Sequence, residues 1–437
     1  MTELLRRIDL RNTDMDRRTL RTAVPRAHAG FSHAAGAAAG VLADVRERGR
    51  EAVVDLTHRF DGVELERVRV PETELKKAFD ELPEDVEAAL REARARLERV
   101  SAGQLPADDT QTFAHGGTVT SRWQPVQRVG LYVPGGLAAY PSTVLMNAVP
   151  ALTAGVKSMA IASPPGPDGL PNRTVMAAAH LLGVTEVWAM GGAQAIGAFA
   201  YGFSDGEDLE PVDLITGPGN AFVAAAKAEV RDVVGIDAVA GPTEIIVVAL
   251  SGSRSDFVAA DLLSQAEHDP LAASVLVTDS EEFADAVDAA LAEQAAQTPH
   301  CERVEQALKG EQSGTILVSS QDDAIAVANA YAGEHVEVHG DGAEEAARGI
   351  VNGGSVFIGD YSPVALGDYC SGSNHVLPTV GSAAFASALG TMSFMKGSQV
   401  ISYSKEALQA VAGHISAFSR VEDLPAHGAA VQIRMED

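Results

Sequence analysis

Four short segments carry side chains whose types and spacing could do chemistry. SQAEHDP offers Gln265 and His268. A spacing of three puts them on one face of the helix this segment predicts, and two donors so placed can grip one metal ion. GEHVEV offers Glu334 and His335 at the start of a strand. An adjacent carboxylate and imidazole can supply one base for each of two proton removals. GDYCSGSNHVLP holds Asp368, Cys370 and His375 in a stretch rich in small polar residues, and loops of this kind often build sites. Asp368 is a hard oxygen donor suited to a cation. Cys370 has the chemistry of a nucleophile, but a small buried thiol is the commoner role, and nothing in the sequence lowers its pKa. EDLPAH, near the end, carries Glu422 and His427. Each segment also fits an ordinary structural or solvated role. The residues alone leave several chemistries open, metal-assisted hydrolysis among them.

These residues need elements to position them. From residue 128 onward, short apolar runs each lead into a glycine turn and then a helical segment. The runs are Val129–Val133 before PGG, Ser158–Ser163 before PPGPDG, Glu186–Met190 before GGAQ, and Val212–Thr216 before GPGN. Apolar run, glycine turn and helix in repetition is the pattern of βαβ units around a parallel sheet. A further buried strand is predicted at 243–250, followed by a second series near Ser274–Thr278, Gly314–Val318, His335–Val338 and Ser355–Ile358. Helices are expected between them, as at Glu281–Gln297 and Asp322–Ala330. Upstream, 31–59 and 72–101 read as helical, the second interrupted near Pro83.

The predicted class is α/β, with two Rossmann-like parallel-sheet domains, one inserted in the other. Residues 1–27 are read as a charged N-terminal arm. Residues 28–127 and 243–380 are assigned to one domain, 128–242 to the inserted one, and 381–437 to a helical C-terminal domain. In such sheets, ligands sit beyond the carboxyl ends of strands, against helix N-termini. Tyr132, Gln194 and Asn220 fall at such ends. None of the turns spells G-x-G-x-x-G, so the glycines permit a dinucleotide site without identifying one.

Composition narrows the partners. The 437 residues include 33 Lys+Arg against 60 Asp+Glu, a formal charge of −27. Such a surface repels nucleic acid and anionic membrane alike. Two cysteines, Cys301 and Cys370, exclude a disulfide framework and any multi-cysteine metal site. The opening MTELLRRIDLRN lacks the apolar core of a secretory signal. No apolar run is long enough to span a membrane, so a reducing cytoplasm is the expected compartment.

The segments gain meaning as an ordered set. GLYVPGG, GGAQAIGAFAYG, GPGNAFV, AGPTE, LLSQAEHDP, GEHVEV, LGDYCSGSNHVLPT and LPAHG occur in that order. Together they resemble the histidinol dehydrogenase family over nearly the whole chain, from about residue 25 to 434. The resemblance implies oxidation of L-histidinol through an aldehyde to L-histidine in two NAD-dependent steps. It implies a zinc ion held by Gln265, His268, Asp368 and His427, which orients the substrate. Glu334 and His335 match the family's bases. Thr243, His375 and Glu422 match substrate contacts, alongside the metal ligands and His335, and Tyr132, Gln194 and Asn220 match NAD contacts. Thr243 stands where many members have serine, and Gly333 where proline or alanine is usual. The resemblance further implies a homodimer in which the C-terminal domain crosses to the partner, so that the site is shared. The alternative is a related dehydrogenase acting on another primary alcohol.

Overall fold

The computed structural model describes residues 4–27, 31–135, 139–204 and 206–436. Its frame is a pair of parallel sheets. The first has five strands, in the order Gly235–Ile236, Leu214–Thr216, Arg128–Tyr132, Ser158–Ser163, Val187–Ala189. The second has six, in the order Arg7–Asp9, Gly314–Leu317, Ala273–Thr278, Glu244–Ala249, His335–His339, Ser355–Ile358. All pairings within both sheets are parallel. Parallel strands are covered on both faces by crossover helices, so they read as unbroken apolar runs. Glu244–Ala249 and Ala273–Thr278 are buried throughout. Every strand expected from 128 onward is present, to within a few residues at its ends. Gly136, in the first expected turn, and Met1–Glu3, in the expected arm, lie outside the described residues.

Helices sandwich the first sheet. Pro141–Ala154 and Arg173–Leu181 cover one face, together with Glu72–Asp80 and Glu84–Ala102. Gly192–Tyr201 and Ala221–Glu229 cover the other, with Phe31–Arg48 and Arg50–Asp61. The helices of 31–102 therefore pack on the sheet of 128–242, whereas the sequence reading grouped 28–127 with 243–380. Amphipathic periodicity identifies which helix face is buried, but not which sheet receives it. The reason for this choice lies in small residues. Ala34, Ala38, Leu42 and Val45 are buried against the Gly192–Tyr201 helix, and a Cβ at Gly197 would stand 3.2 Å from Leu42 and Val45 side-chain atoms.

The two ends of the chain also depart from the expected pattern. The arm folds into the second sheet. Arg7–Asp9 is its edge strand, paired with Thr315–Leu317, and Asp16 caps a helix at Arg17–Ala23. A three-residue edge strand carries too little alternation to read from sequence. The C-terminal part is not wholly helical. Met395–Ser402 pairs antiparallel with Thr118–Pro125, which pairs with Asp109–Thr112. The strand MKGSQVIS is exposed along nearly its whole length, so it has no buried face to leave a pattern. Helices Lys405–Val421 and Pro425–Gln432 follow. No helix among the described residues is long and apolar enough to cross a membrane.

Candidate active site

The strands Glu244–Ala249 and His335–His339 are neighbours, with Ile245 opposite His335. This register brings Thr243, Glu244, Glu334 and His335 together at the amino ends of the strands. The turn into Glu334 is tight. Ala332 closes the preceding helix in the left-handed region at φ 48°, where a side chain is disfavoured. Gly333 is not left-handed. A Cβ there would lie 3.1 Å from Ile246 and Tyr331 side-chain atoms, so the position is sterically close on its own account.

Glu334 is buried. Its Oε2 accepts from Thr243 Oγ1 at 2.5 Å and from Glu244 N at 2.9 Å. Burial pushes its pKa up to about 7 against the pull of those two donors. His335 is also buried, which lowers its pKa and favours the neutral ring. Its Nδ1 lies 3.2 Å from Glu244 O. A carbonyl can only accept, so Nδ1 carries the proton and Nε2 the lone pair. Nε2 makes no hydrogen bond among the described residues, and Asp368 Oδ1 lies 3.9 Å from it. The result is a neutral imidazole with an uncommitted basic nitrogen, held beside a carboxyl group that titrates near neutrality.

Gln265 reaches the same place from the last turn of the Ser255–Ala266 helix. Its Nε2 donates to Thr243 Oγ1 at 2.6 Å, which turns Oε1 the other way. That oxygen is buried and has no hydrogen bond among the described residues. Leaving an amide oxygen so costs about 1–3 kcal/mol, and a cation would relieve it. His268 was expected on the same helical face. The helix ends at Ala266 with Glu267 as its cap, so His268 lies just beyond and is exposed. Its Nδ1 is 3.0 Å from Ser264 O and 3.3 Å from Gln265 O. Nδ1 is therefore the protonated nitrogen, leaving the Nε2 lone pair able to ligate a cation, the arrangement common in metal-ligating histidines. His268 is close enough to act electrostatically on Glu334, His335 and His375. Asp368 sits at the end of the Val364–Tyr369 helix. Gln265 through Thr243, and Asp368 through His335, are thus tied to the same group, and an amide oxygen, an imidazole nitrogen and a carboxylate are a set that could hold a divalent cation.

His375 spends both nitrogens within the protein. Nδ1 faces Asp368 O at 3.0 Å and Nε2 faces Thr143 Oγ1 at 3.0 Å. Burial pushes its pKa down to about 4. Since Thr143 belongs to the Pro141–Ala154 helix on the first sheet, His375 ties Asp368 to that sheet. Cys370 is half-buried and packs on the apolar core.

Tyr132 ends its strand and is buried. Its hydroxyl accepts from Gly192 N at 3.1 Å, and burial pushes the pKa up to about 12. Gln194 is buried in the first turn of that helix. Asn220 caps Ala221–Glu229, accepting from Phe222 N and Val223 N at 3.1 Å. Gly217, with φ 116°, lies so near Tyr132 O that no side chain fits. A cavity of about 100 Å³, lined in part by Gly217, Lys227, Asp237, Thr243, Glu334 and His375, lies between these strand ends and the Thr243–Glu334 pair.

Glu422 and His427 lie elsewhere on the chain's surface. Both are exposed, and their helices pack chiefly on each other and on the turn at Ala114–Gly116. Two other buried clusters went unremarked in the sequence. Lys227 and Asp237 form a buried ion pair beside Gly217. Asp261, Glu337 and His339 form a second group, with ligand-type atoms all within 4.8 Å of one another. The signal that could have found it is polar residues at alternate positions, His335, Glu337 and His339, in a strand buried throughout.

Known proteins match along the whole chain. The family model "Histidinol dehydrogenase" matches residues 24–435. A histidinol dehydrogenase of Nocardia farcinica is 53% identical over 436 residues, covering 99% of this chain and 98% of the relative. One from Mycobacterium tuberculosis is 52% identical over 437 residues, with coverage of 99% and 98%. The crystal structure of histidinol dehydrogenase from Elizabethkingia anophelis superposes with a TM-score of 0.92 at 32% identity, covering 100% of this chain and 99% of that one.

Proposed function

The chain belongs to the histidinol dehydrogenase family, oxidoreductases of histidine biosynthesis, and from that premise we propose that it oxidises L-histidinol to L-histidine in two successive NAD-dependent steps at one site. The observation that carries this reading is the pairing of His335 Nε2, neutral and without a hydrogen bond, with the buried carboxyl of Glu334. In the first step His335 takes the hydroxyl proton at Nε2 as a hydride passes from the carbon to NAD, giving the aldehyde. Glu334 then draws a proton from water as the water oxygen adds to the aldehyde carbon, and the protonated His335 returns its proton to the aldehyde oxygen, so that the hydrate forms and the ring is neutral again. In the second step His335 assists removal of a proton from the hydrate as its hydride leaves to a second NAD. No thiol adduct is needed, so Cys370 has no required part.

Gln265, His268, Asp368 and His427 would hold zinc, which when bound would orient the substrate's imidazole and amine rather than attack it. The buried, unpartnered Oε1 of Gln265 supports this assignment. Thr243 acts on the substrate site through the two residues it bridges, and His375 does so through Asp368. Tyr132, Gln194 and Asn220 line the NAD side. Glu422 suits a cationic amine. The exposed Glu422 and His427 are accompanied by exposed Phe418, Val421, Leu424 and Ile433, an apolar face that supports a homodimer in which these two residues complete the partner's site. A cytoplasmic location suits an enzyme of histidine biosynthesis.

The test is to incubate zinc-loaded protein with L-histidinol and NAD, following NADH and histidine together, beside a chelator-treated sample. Two NADH per histidine, lost on chelation and restored by zinc, is the expected result. Turnover of another primary alcohol but not of histidinol would overturn the substrate assignment. Wild-type activity after complete removal of metal would overturn the metal assignment.

A further inference from the structure

The Asp261–Glu337–His339 cluster has anchors in each of the three elements that carry the site. Glu337 and His339 lie on the strand that begins with His335, and alternate residues of a strand share a face. Asp261 lies one turn before Gln265 on its helix. The third anchor is a backbone group: Val364 N, the first residue of the helix that ends near Asp368, donates to Glu337 Oε1 at 3.0 Å. The other carboxylate oxygen, Oε2, accepts from His339 Nε2 at 3.2 Å. His339 Nε2 also lies 3.6 Å from Asp261 Oδ2, and its Nδ1 lies 3.7 Å from Asp360 Oδ1. Glu337 has no exposed surface and His339 only 2%.

A carboxylate is costly to bury unless its oxygens are bonded. Both oxygens of Glu337 are, one to a helix N-terminus and one to an imidazole. A charge in this setting fixes its partners to within a hydrogen-bond length, since losing one leaves a buried group unsatisfied. We propose that Glu337, supported by His339 and Asp261, is a positioning residue that sets the spacing of Asp368 and Gln265 from His335. This rests on the reading of Gln265 and Asp368 as metal ligands given above. Glu337 touches neither metal nor substrate in this scheme. It acts by holding the N-terminus of Asp368's helix against His335's strand, while His339 and Asp261 hold Gln265's helix to the same strand.

The experiment compares zinc affinity, by competition with a chromophoric chelator, and histidinol binding to the zinc-loaded protein, by calorimetry. The variants are Glu337→Ala, Glu337→Gln and Val364→Pro, with Gln265→Ala as the control for the metal assignment. Val364→Pro removes the donor from the other side of the bond. It sits at the first position of its helix after an extended Pro363, where proline is tolerated. It therefore carries the test if Glu337→Ala fails to fold. Expected are a loss of roughly 10–100-fold in zinc affinity for Glu337→Ala and Val364→Pro, the scale found for partners that orient metal ligands. Glu337→Gln, which keeps an oxygen for Val364 N, should recover most of it, and the wild type should bind one zinc per chain. Gln265→Ala weakened with Glu337→Ala and Val364→Pro unchanged would overturn the positioning role alone. Equal loss in Glu337→Ala and Glu337→Gln would also overturn it. A second zinc per chain, lost in His339→Gln, would make the cluster a metal centre instead. Undiminished zinc affinity in Gln265→Ala would overturn the ligand assignment and the proposal with it.

Discussion

Replacing Thr243 by valine removes one hydroxyl from the centre of the site. That hydroxyl donates to Glu334 Oε2 at 2.5 Å and accepts from Gln265 Nε2 at 2.6 Å. Valine leaves the buried Gln265 amide without its acceptor, at about 1–3 kcal/mol, and removes a hydrogen bond to a carboxylate, worth about 1.5–3 kcal/mol. Glu334 keeps its bond from Glu244 N, which limits the second term. A destabilisation of roughly 2–5 kcal/mol is therefore expected in denaturant unfolding of the metal-free protein. The larger functional effect is orientational. With Nε2 unheld, the amide can rotate, and Oε1 is no longer fixed toward the cation. Loss of such an orienting contact lowers metal affinity about 10–100-fold. The Glu334 carboxyl also loses a bond that lowers its pKa, so it should titrate higher. Thr243→Ser restores the hydroxyl and should behave as wild type in both assays. Zinc affinity of Thr243→Val within threefold of wild type would refute this reasoning, as would a serine variant as impaired as the valine one.

Three further outcomes are expected. His335→Asn should lower turnover by about 10²–10⁴-fold, the usual contribution of a general base, with metal content unchanged; loss of metal would show that His335 is a ligand. Cys370→Ala should keep most activity, and a thousandfold loss, about 4 kcal/mol, would restore the thiol to the mechanism. The third concerns stability and pH. Burial, and then the charge of Glu337, raise the pKa of Asp261 to about 7. Burial opposes charge on His339, but Glu337, Asp261 and Asp360 outweigh it and raise its pKa. Both groups thus bind protons more tightly folded than unfolded, so their stabilising contribution is present at low pH and is lost as pH rises through the folded values. Wild-type stability should fall relative to an Asp261→Asn/His339→Gln double variant as pH rises through about 7; a constant or opposite difference would count against it.

What could be read from the sequence followed burial. The parallel strands were legible because both faces are covered, which forces continuous apolar runs such as EIIVVA and ASVLVT. The edge strand RID and the exposed strand MKGSQVIS bury too little to leave a pattern. That the helices of 31–102 pack on the first sheet could not be read, because a helix's apolar stripe carries no address. The chemistry-bearing residues could be listed by type, and the fold brings Thr243, Gln265, Glu334, His335, Asp368 and His375 into one network. What each nitrogen and oxygen does there could not be read. The tautomer of His335 depends on Glu244 O, and the direction of Gln265's buried, unpartnered Oε1 depends on a threonine 22 positions away. The buried Asp261–Glu337–His339 group arises from a strand and helix 76 residues apart, Asp261 to Glu337, and only its alternating polarity hinted at it.

The most direct test of the account is anomalous diffraction at the zinc edge from crystals of the zinc-loaded protein soaked with L-histidinol. One peak per chain is expected, within bonding distance of Gln265 Oε1, His268 Nε2 and the Asp368 carboxylate, beside His335. A peak among Asp261, Glu337 and His339, with none at Gln265, would contradict it.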